Sequence, residues 1–497
     1  MLSIAVPARG EGVGSFKIVF DAEQQGTAYS GRVYVAFADA EGRGEPRRSM
    51  DDWFRPGQVL SLDVKDVPVG GSVTIDATNA ALAFPKPYGE ISSGKWRVQG
   101  VARRSLDSCK PGRGEGDLYS EVSAIEFAPG SAGVVELRLS KVVGKRSPSE
   151  NERLKFMEIK SERLSAFAKR DVMVRCGVYL PLEWSEEEAE AGKTWATLWF
   201  VGGFGGDHTI AGSLGRALGA MLGGDGVIIV CPDATCYRGH SVFADSANNG
   251  PWGEMLMKEL VPAVERRYSG EGASRRYVAG MSSGGWSSLW LQVTYPDQWA
   301  GVWSFCPDPV DFRDFQRINL YEPGANVYKD KDGKRRGVAR SREGEEPGIY
   351  YDDFVRQETV MGPGGQIHSF EAVFSPRGAD GEPMALFDRA TGVVDASVAK
   401  AWEAYDIRLV LERNWATLGP KLKGKLNIIA GGRDTFYLEG AVKLLKESLE
   451  KLGSDARVEI VAGMGHTMHP PSLQRMMRAI AGVPEESAGG PTLEEKK

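Results

Sequence analysis

The pentapeptide Gly280-Met281-Ser282-Ser283-Gly284 constrains this chain more than any other feature. It follows the apolar run Tyr277-Val278-Ala279 directly and precedes a stretch of helical period, Gly285 to Thr294. A G-x-S-x-G between a strand and a helix is the pattern of a nucleophile elbow. The central serine occupies a strained turn, and the small residues beside it let strand and helix approach. In a chain with 62 glycines the pattern alone is weak, and a Gly-rich turn without chemistry is the bland reading. The strand-turn-helix setting gives it weight.

The same alternation extends on both sides of the elbow. Apolar runs at Trp195 to Val201, Asp225 to Val230, Arg276 to Ala279, Trp299 to Phe305, Lys425 to Ala430 and Arg457 to Val461 read as strands. Helical periods fall between them, at Thr209 to Leu222, Trp252 to Tyr268, Gly285 to Thr294, Phe436 to Leu452 and Pro471 to Ile480. Lys155 to Ala166 and Asp171 to Leu180 read as an opening strand pair. Strand and helix in turn predict an α/β fold with an open, mostly parallel central sheet covered on both faces. Residues 12 to 142 differ. Short alternating runs such as Phe16 to Phe20, Arg32 to Ala38, Val59 to Val64 and Val134 to Leu139 are separated by Gly, Pro and Asp clusters, as in an all-β sandwich. At 497 residues two or three units are expected. The expected division is a β domain over 1–145, a catalytic domain over 153–482 and a frayed polar tail over 483–497. Residues of about 307–400, with the charged run Lys329 to Arg336, interrupt the rhythm as an insertion. They would form either surface elaboration or a wall of the pocket at the carboxyl edge of the sheet.

A serine hydroxyl needs an imidazole to take its proton. Behind an elbow of this kind the chain order is Ser, acid, His, so of the five histidines His208 and His240 come too early and His368 falls in the insertion. His466 lies in Gly463-Met464-Gly465-His466, just past the strand Arg457 to Val461, where a base belongs. His469 precedes Pro470 at a helix start, which suits capping or packing. Asp434 follows the strand Leu426 to Ala430 through Gly431-Gly432-Arg433 and is the candidate acid; its plainer role would be a helix N-cap. An oxyanion hole needs two backbone N–H groups. Ser283 offers one, and Phe204, in the glycine-rich loop Gly202 to Asp207 after the strand ending at Val201, offers the other. Asp308, Asp311, Trp286 and Trp252 are candidates to line the pocket, although turn formation accounts as well for the two aspartates and core packing for the two tryptophans.

Composition sets limits. A net charge of -6 and a pI near 5.7 provide no basic field for nucleic acid, and no apolar run approaches membrane-spanning length. Met1 to Gly10 lacks the features of a secretory signal, so the chain reads as cytoplasmic as written, or as secreted or periplasmic had a signal been removed. Cys109, Cys176, Cys231, Cys236 and Cys306 show no zinc spacing and read mostly as buried thiols, with a bridge between Cys231 and Cys236 as the alternative. Neither a metal nor a cofactor is expected.

With these residues in place, the region from about 153 to 482 resembles the Putative esterase family, the relatives of esterase D that include feruloyl esterases, enterochelin esterases and mycolyltransferases. Besides the elbow, the resemblance rests on Val201 to Gly206, on Asn249-Gly250-Pro251-Trp252-Gly253 followed by Glu259-Leu260-Val261-Pro262, on Gly432-Arg433-Asp434 with Tyr437-Leu438, and on Gly465-His466. Gly202 stands where the family commonly has histidine. The resemblance implies an α/β-hydrolase fold and a serine carboxylic-ester hydrolase, with Ser282 as nucleophile, Asp434 as acid, His466 as base, and Phe204 and Ser283 as oxyanion donors. A β domain ahead of the catalytic domain is similar to the layout of enterochelin esterases and some carbohydrate esterases, so a small-molecule or saccharide-linked ester, aromatic acyl esters included, is the expected substrate. Oligomeric state is not set by the sequence. Acyl transfer on the same fold, or a non-catalytic protein whose β domain holds a glycan, are the alternatives.

Overall fold

The structure, a computed structural model, describes residues 12–80, 82–221, 226–341 and 346–483. Met1 to Gly10 and nearly all of the tail expected over 483–497 lie outside these residues.

The N-terminal region holds ten strands in one bent sheet. Val13–Phe20 pairs antiparallel with Ser72–Ile75 and parallel with Gly133–Leu139. A second layer runs Ser123–Phe127, Gly94–Ala102, Tyr29–Asp39, Val59–Val67 and Leu82–Phe84, antiparallel throughout. The layers join at a single corner pair, Val13 with Phe127. Alternate residues Phe16, Ile18 and Phe20 of one layer face Val33, Val35 and Phe37 of the other in a common core. Phe16 and Phe37 meet edge to face at 5.4 Å. Period-two burial from both sides is what makes the pair of layers a sandwich.

The second sheet has eight strands: β1 (Leu154–Lys160), β2 (Met173–Tyr179), β3 (Ala196–Val201), β4 (Val227–Pro232), β5 (Arg276–Met281), β6 (Gly301–Phe305), β7 (Leu426–Gly431) and β8 (Arg457–Val461). Their spatial order is β1-β2-β4-β3-β5-β6-β7-β8. The pairs β1–β2 and β2–β4 are antiparallel. From β4 onward every pair is parallel. β3 and β4 are buried at every position, as strands covered on both faces must be.

Two local expectations need correction. The first strand ends at Lys160, and 162–168 form a helix, because Ser161 caps it by accepting from the Leu164 N–H at 3.1 Å. The helical stretch from Trp252 to Tyr268 contains a π-helical segment, Leu256–Leu260. All five cysteines are free thiols, so Cys231 and Cys236 form no bridge.

Between β6 and β7 the interruption folds into a hairpin, Gly337–Arg340 with Pro347–Tyr350, and helices that include α1 (Tyr351–Met361) and α2 (Gln366–Phe374). The last carbonyls of α1 have no partners within the helix, and the N-terminal sheet supplies them. Tyr34 donates to Met361 O at 2.7 Å, Ser61 to Val360 O at 2.8 Å and Arg32 to Thr359 O at 2.5 Å. Tyr34 and Ser61 are fully buried there. The N-terminal sheet thus holds the insertion, and the insertion lies over the carboxyl edge of the second sheet. Among the described residues, no helix is long and apolar enough to cross a membrane.

Candidate active site

Ser282 sits between β5 and the helix α3 (Ser283–Thr294) with φ 60° and ψ -125°. A non-glycine residue at positive φ costs energy, and surrounding structure must hold it. Ser282 N–H donates to Phe305 O of β6 at 3.0 Å, while its carbonyl accepts from Trp286 and Asp308 N–H at 3.0 and 3.2 Å. The flanking glycines are required sterically. A Cβ on Gly280 would stand 2.1 Å from Gly284 O, and one on Gly284 would stand 2.0 Å from Val201 O.

Asp434 and His466, after β7 and β8, meet directly. Asp434 Oδ2 lies 2.7 Å from His466 Nδ1, and Asp434 is fully buried. The other carboxylate oxygen accepts from Phe436 N–H at 2.8 Å, which fixes its orientation. The helix beyond starts only at Glu439, so Asp434 is not its N-cap. Phe436 packs edge to face on the imidazole at 5.0 Å. Burial disfavours a charged imidazole, but the Asp434 carboxylate, joined by Cys306, more than offsets it, and the His466 pKa is raised above its ordinary value.

Cys306 Sγ, Asp434 and His466 lie within 4.8 Å of one another, close enough to ask whether they could hold a metal. Two donors on one tetrahedral zinc would stand about 3.3 Å apart. The 2.7 Å separation of carboxylate and imidazole is that of a hydrogen bond.

Asp308, just past β6, joins the elbow. Its Oδ1 accepts from Ser282 Oγ at 3.5 Å and its Oδ2 from Ser283 Oγ at 2.6 Å. Gln366 Nε2 of α2 contacts that same Oδ2 at 3.3 Å and Ser283 Oγ at 3.2 Å. Burial, only partly countered by the Ser283 hydroxyl, raises the Asp308 pKa to about 6. The remaining contact to Ser282 is long for a hydroxyl-carboxylate bond, so the Ser282 hydroxyl is loosely tethered.

The glycine-rich loop after β3 passes close to the serine, where a Cβ on Gly203 would stand 3.2 Å from Ser282 Cβ. Among the described residues no protein acceptor takes the N–H of Phe204 or Ser283. Two distant residues brace this loop. Lys110 of the N-terminal region donates to Gly205 O at 2.8 Å, and His240 Nε2 contacts Gly202 O at 3.0 Å. His240 Nδ1 accepts from Val242 N–H, so Nε2 carries the proton and donates. Burial holds the ring neutral, with its pKa lowered to about 4.

Three pocket candidates belong elsewhere. Trp286 is buried core, stacked on Trp290 at 5.2 Å. Trp252 lines a separate cavity beside Phe167 and Arg377. Asp311 is fully buried and paired with Arg313 and Arg408. The cavity at Ser282 is instead walled by Trp53, Phe354, Phe370, Phe436, Ile367 and Leu438, with Asp308, Gln316 and Gln366 as polar members. Sequence reading missed most of these, because no motif marks them. Gln366 lies deep in the insertion, and Trp53 sits in the N-terminal region, over 200 positions from the serine it approaches. Phe436 was within reach of inference, two residues after the candidate acid.

An elbow at the carboxyl edge of this sheet defines an α/β-hydrolase, and the chain is a serine esterase. Residues 168–406 match the Putative esterase family. The match includes the glycine-rich loop after β3, the elbow and Asp308, and stops before Asp434 and His466. A sequence comparison with curated proteins finds no match. Among solved structures, an S-formylglutathione hydrolase from Agrobacterium tumefaciens is 15% identical, covering 66% of this chain and 94% of its own, with a TM-score of 0.39. A fluorophosphonate-binding serine hydrolase of Staphylococcus aureus is 13% identical over 66% of this chain and 99% of its own, with a TM-score of 0.41. A ferulic acid esterase from Anaeromyces mucronatus is 14% identical over 68% and 93%, with a TM-score of 0.34.

Proposed function

We propose that the chain hydrolyses carboxylic esters through an acyl-enzyme on Ser282, with His466 as general base and acid and Asp434 as its orienting carboxylate. The observation that carries this reading is the 2.7 Å bond between buried Asp434 and His466 at the same sheet edge as the strained Ser282. Asp434 accepts from Nδ1–H and so leaves Nε2 as the basic nitrogen. A χ1 rotation would release the Ser282 hydroxyl from its long contact with Asp308 and turn it toward that nitrogen. Attack on the ester carbonyl then forms the Oγ–C bond, and the proton passes to His466. The developing oxyanion is met by the Phe204 and Ser283 N–H groups, and collapse expels the alcohol with the proton from His466. Water activated by the same imidazole cleaves the acyl-enzyme and restores the serine.

In this reading residues 1–145 and 153–482 are two units and 307–400 is an insertion of the second. The substrate is a small-molecule ester, free or carried on a saccharide.

The test is labelling with a fluorophosphonate followed by peptide mass mapping, combined with hydrolysis of 4-nitrophenyl acetate. Label on the Ser282 peptide, and loss of both label and turnover in Ser282→Ala, are expected. Turnover that survives the substitution would overturn the assignment.

A further inference from the structure

Trp53 belongs to the N-terminal region but stands in the candidate active site. It stacks on Phe204 of the oxyanion loop, with centroids 5.4 Å apart and planes 20° from parallel. It meets Phe354 of α1 edge to face at 5.1 Å and Phe436, beside the candidate acid, at 6.0 Å. Its loop is anchored to the insertion, since Gln357 Nε2 donates to Asp52 O at 2.9 Å. The indole is therefore held from three sides.

Trp53 lines two cavities at once. One has Ser282 in its wall and a volume of 30 Å³. The other, of 230 Å³, lies between Phe54, Lys110, Gly205, Glu358 and Met361, with Phe204 and Trp53 in its wall. The space at the serine is thus nearly eightfold smaller than its neighbour, and a long acyl chain outgrows it first.

Resting on the esterase reading above, we propose that Trp53 is the partition between the two cavities and restricts the enzyme to esters of short acyl groups. The space is enclosed mainly by apolar side chains and suits the part of the ester that stays on Ser282 through both half-reactions. The departing alcohol must collect its proton at His466 and leaves on that side. In this arrangement the N-terminal region completes the acyl pocket, and a long acyl chain meets the indole. Removing the indole joins the two spaces.

The experiment measures kcat/KM for 4-nitrophenyl acetate, butyrate and octanoate and for methyl ferulate, with wild type, Trp53→Phe and Trp53→Ala. A second series of acetates varies the alcohol. Fluorophosphonate titration counts competent sites in each preparation. The ratio of acetate to octanoate within one preparation is unaffected if the oxyanion loop loosens and slows every substrate equally. Wild type is expected to favour acetate by about a hundredfold or more, with the ratio falling at least about tenfold in Trp53→Ala and less in Trp53→Phe. Ester cleavage that depends on Ser282 but treats octanoate as acetate would overturn the inference and leave the esterase reading intact. So would a ratio unmoved by Trp53→Ala, or a size dependence confined to the alcohol series. No cleavage of any ester and no label on Ser282 would remove both.

Discussion

The hydroxyl of Ser282 points at the carboxylate of Asp308, 3.5 Å away, and not at the imidazole of His466. Asp308 thus places a second acid beside Ser282, just past the strand that lies between those of the serine and the candidate triad acid. It is buried and stands near no guanidinium or ammonium close enough to pair with it among the described residues. Its environment favours the neutral acid.

The first prediction concerns that cost. Burial raises the Asp308 pKa from 3.8 to about 6, so the fold prefers the protonated form. The stabilisation is fully present below pH 3.8 and is lost as pH rises through about 6. Above that the ionised group carries a penalty of about 3 kcal/mol, from 1.36 kcal/mol per unit. Asp308→Asn has no charge to bury. Its melting temperature relative to wild type is expected to rise by several degrees between pH 4 and pH 7.5, read by calorimetry at each pH. A flat difference would show that Asp308 is solvated.

Asp434 provides the second prediction. Burial disfavours the charged ring and the Asp434 carboxylate favours it, so without that carboxylate the His466 pKa falls from its raised wild-type value. Asp434→Asn should therefore move the acidic limb of the kcat/KM profile to lower pH, because the imidazole is neutral sooner. The rate on the plateau should fall about 10⁴-fold, since the amide favours the wrong tautomer. Both are read from one pH-rate series on an activated ester. An unchanged inflection would mean that another group titrates.

The uneven legibility of this site has a physical cause. Ser282, Asp434 and His466 could be placed in order because each terminates a parallel strand, and apolar strands with glycine-rich exits leave a local pattern. Phe204 was proposed on the same ground. Asp308 is beside a strand end too, but its contact with Ser283 depends on how the chain turns after Pro307. Trp286 and Trp252 were ambiguous because an indole in a helix serves core or pocket equally well, and packing decides. Trp53 left no local trace at all: its place is set by the seating of α1 on Tyr34 and Ser61, a contact between segments about 300 residues apart. The helix at 162–168 was read as strand because Leu164 and Ala166 continue an alternation. Its cap, Ser161, was the contrary signal.

A third prediction tests the brace on the glycine-rich loop that carries Phe204. Gly202 carries no side chain where the family commonly has histidine, and His240 reaches the Gly202 carbonyl from another segment. His240→Ala would leave that carbonyl and the Val242 N–H unpaired in a buried setting, at about 1–3 kcal/mol for each. A loop displaced by a fraction of an ångström should lower kcat between about tenfold and a hundredfold with little change in KM. Steady-state kinetics alongside urea unfolding separate the two effects. Reduced stability with normal kcat would show that His240 only packs.

The fourth prediction is the most local. A methyl group on Gly284 would meet Val201 O at 2.0 Å and Gly202 O at 2.5 Å, both backbone atoms of the strand and loop that carry the oxyanion donor. Neither can yield without moving β3 or the Phe204 N–H. Gly284→Ala should thus cost more than about 3 kcal/mol in unfolding free energy and abolish phosphonate labelling even in the fraction that remains folded. Gly272→Ala is the matched control. Gly272, unlike Gly284, has a positive φ, 89°, but a Cβ there meets nothing within 4 Å, so its penalty is backbone strain alone and labelling at Ser282 should persist. Equal loss of labelling in both variants would indicate general unfolding, whereas loss confined to Gly284→Ala ties the close approach of helix and strand to the chemistry of the serine.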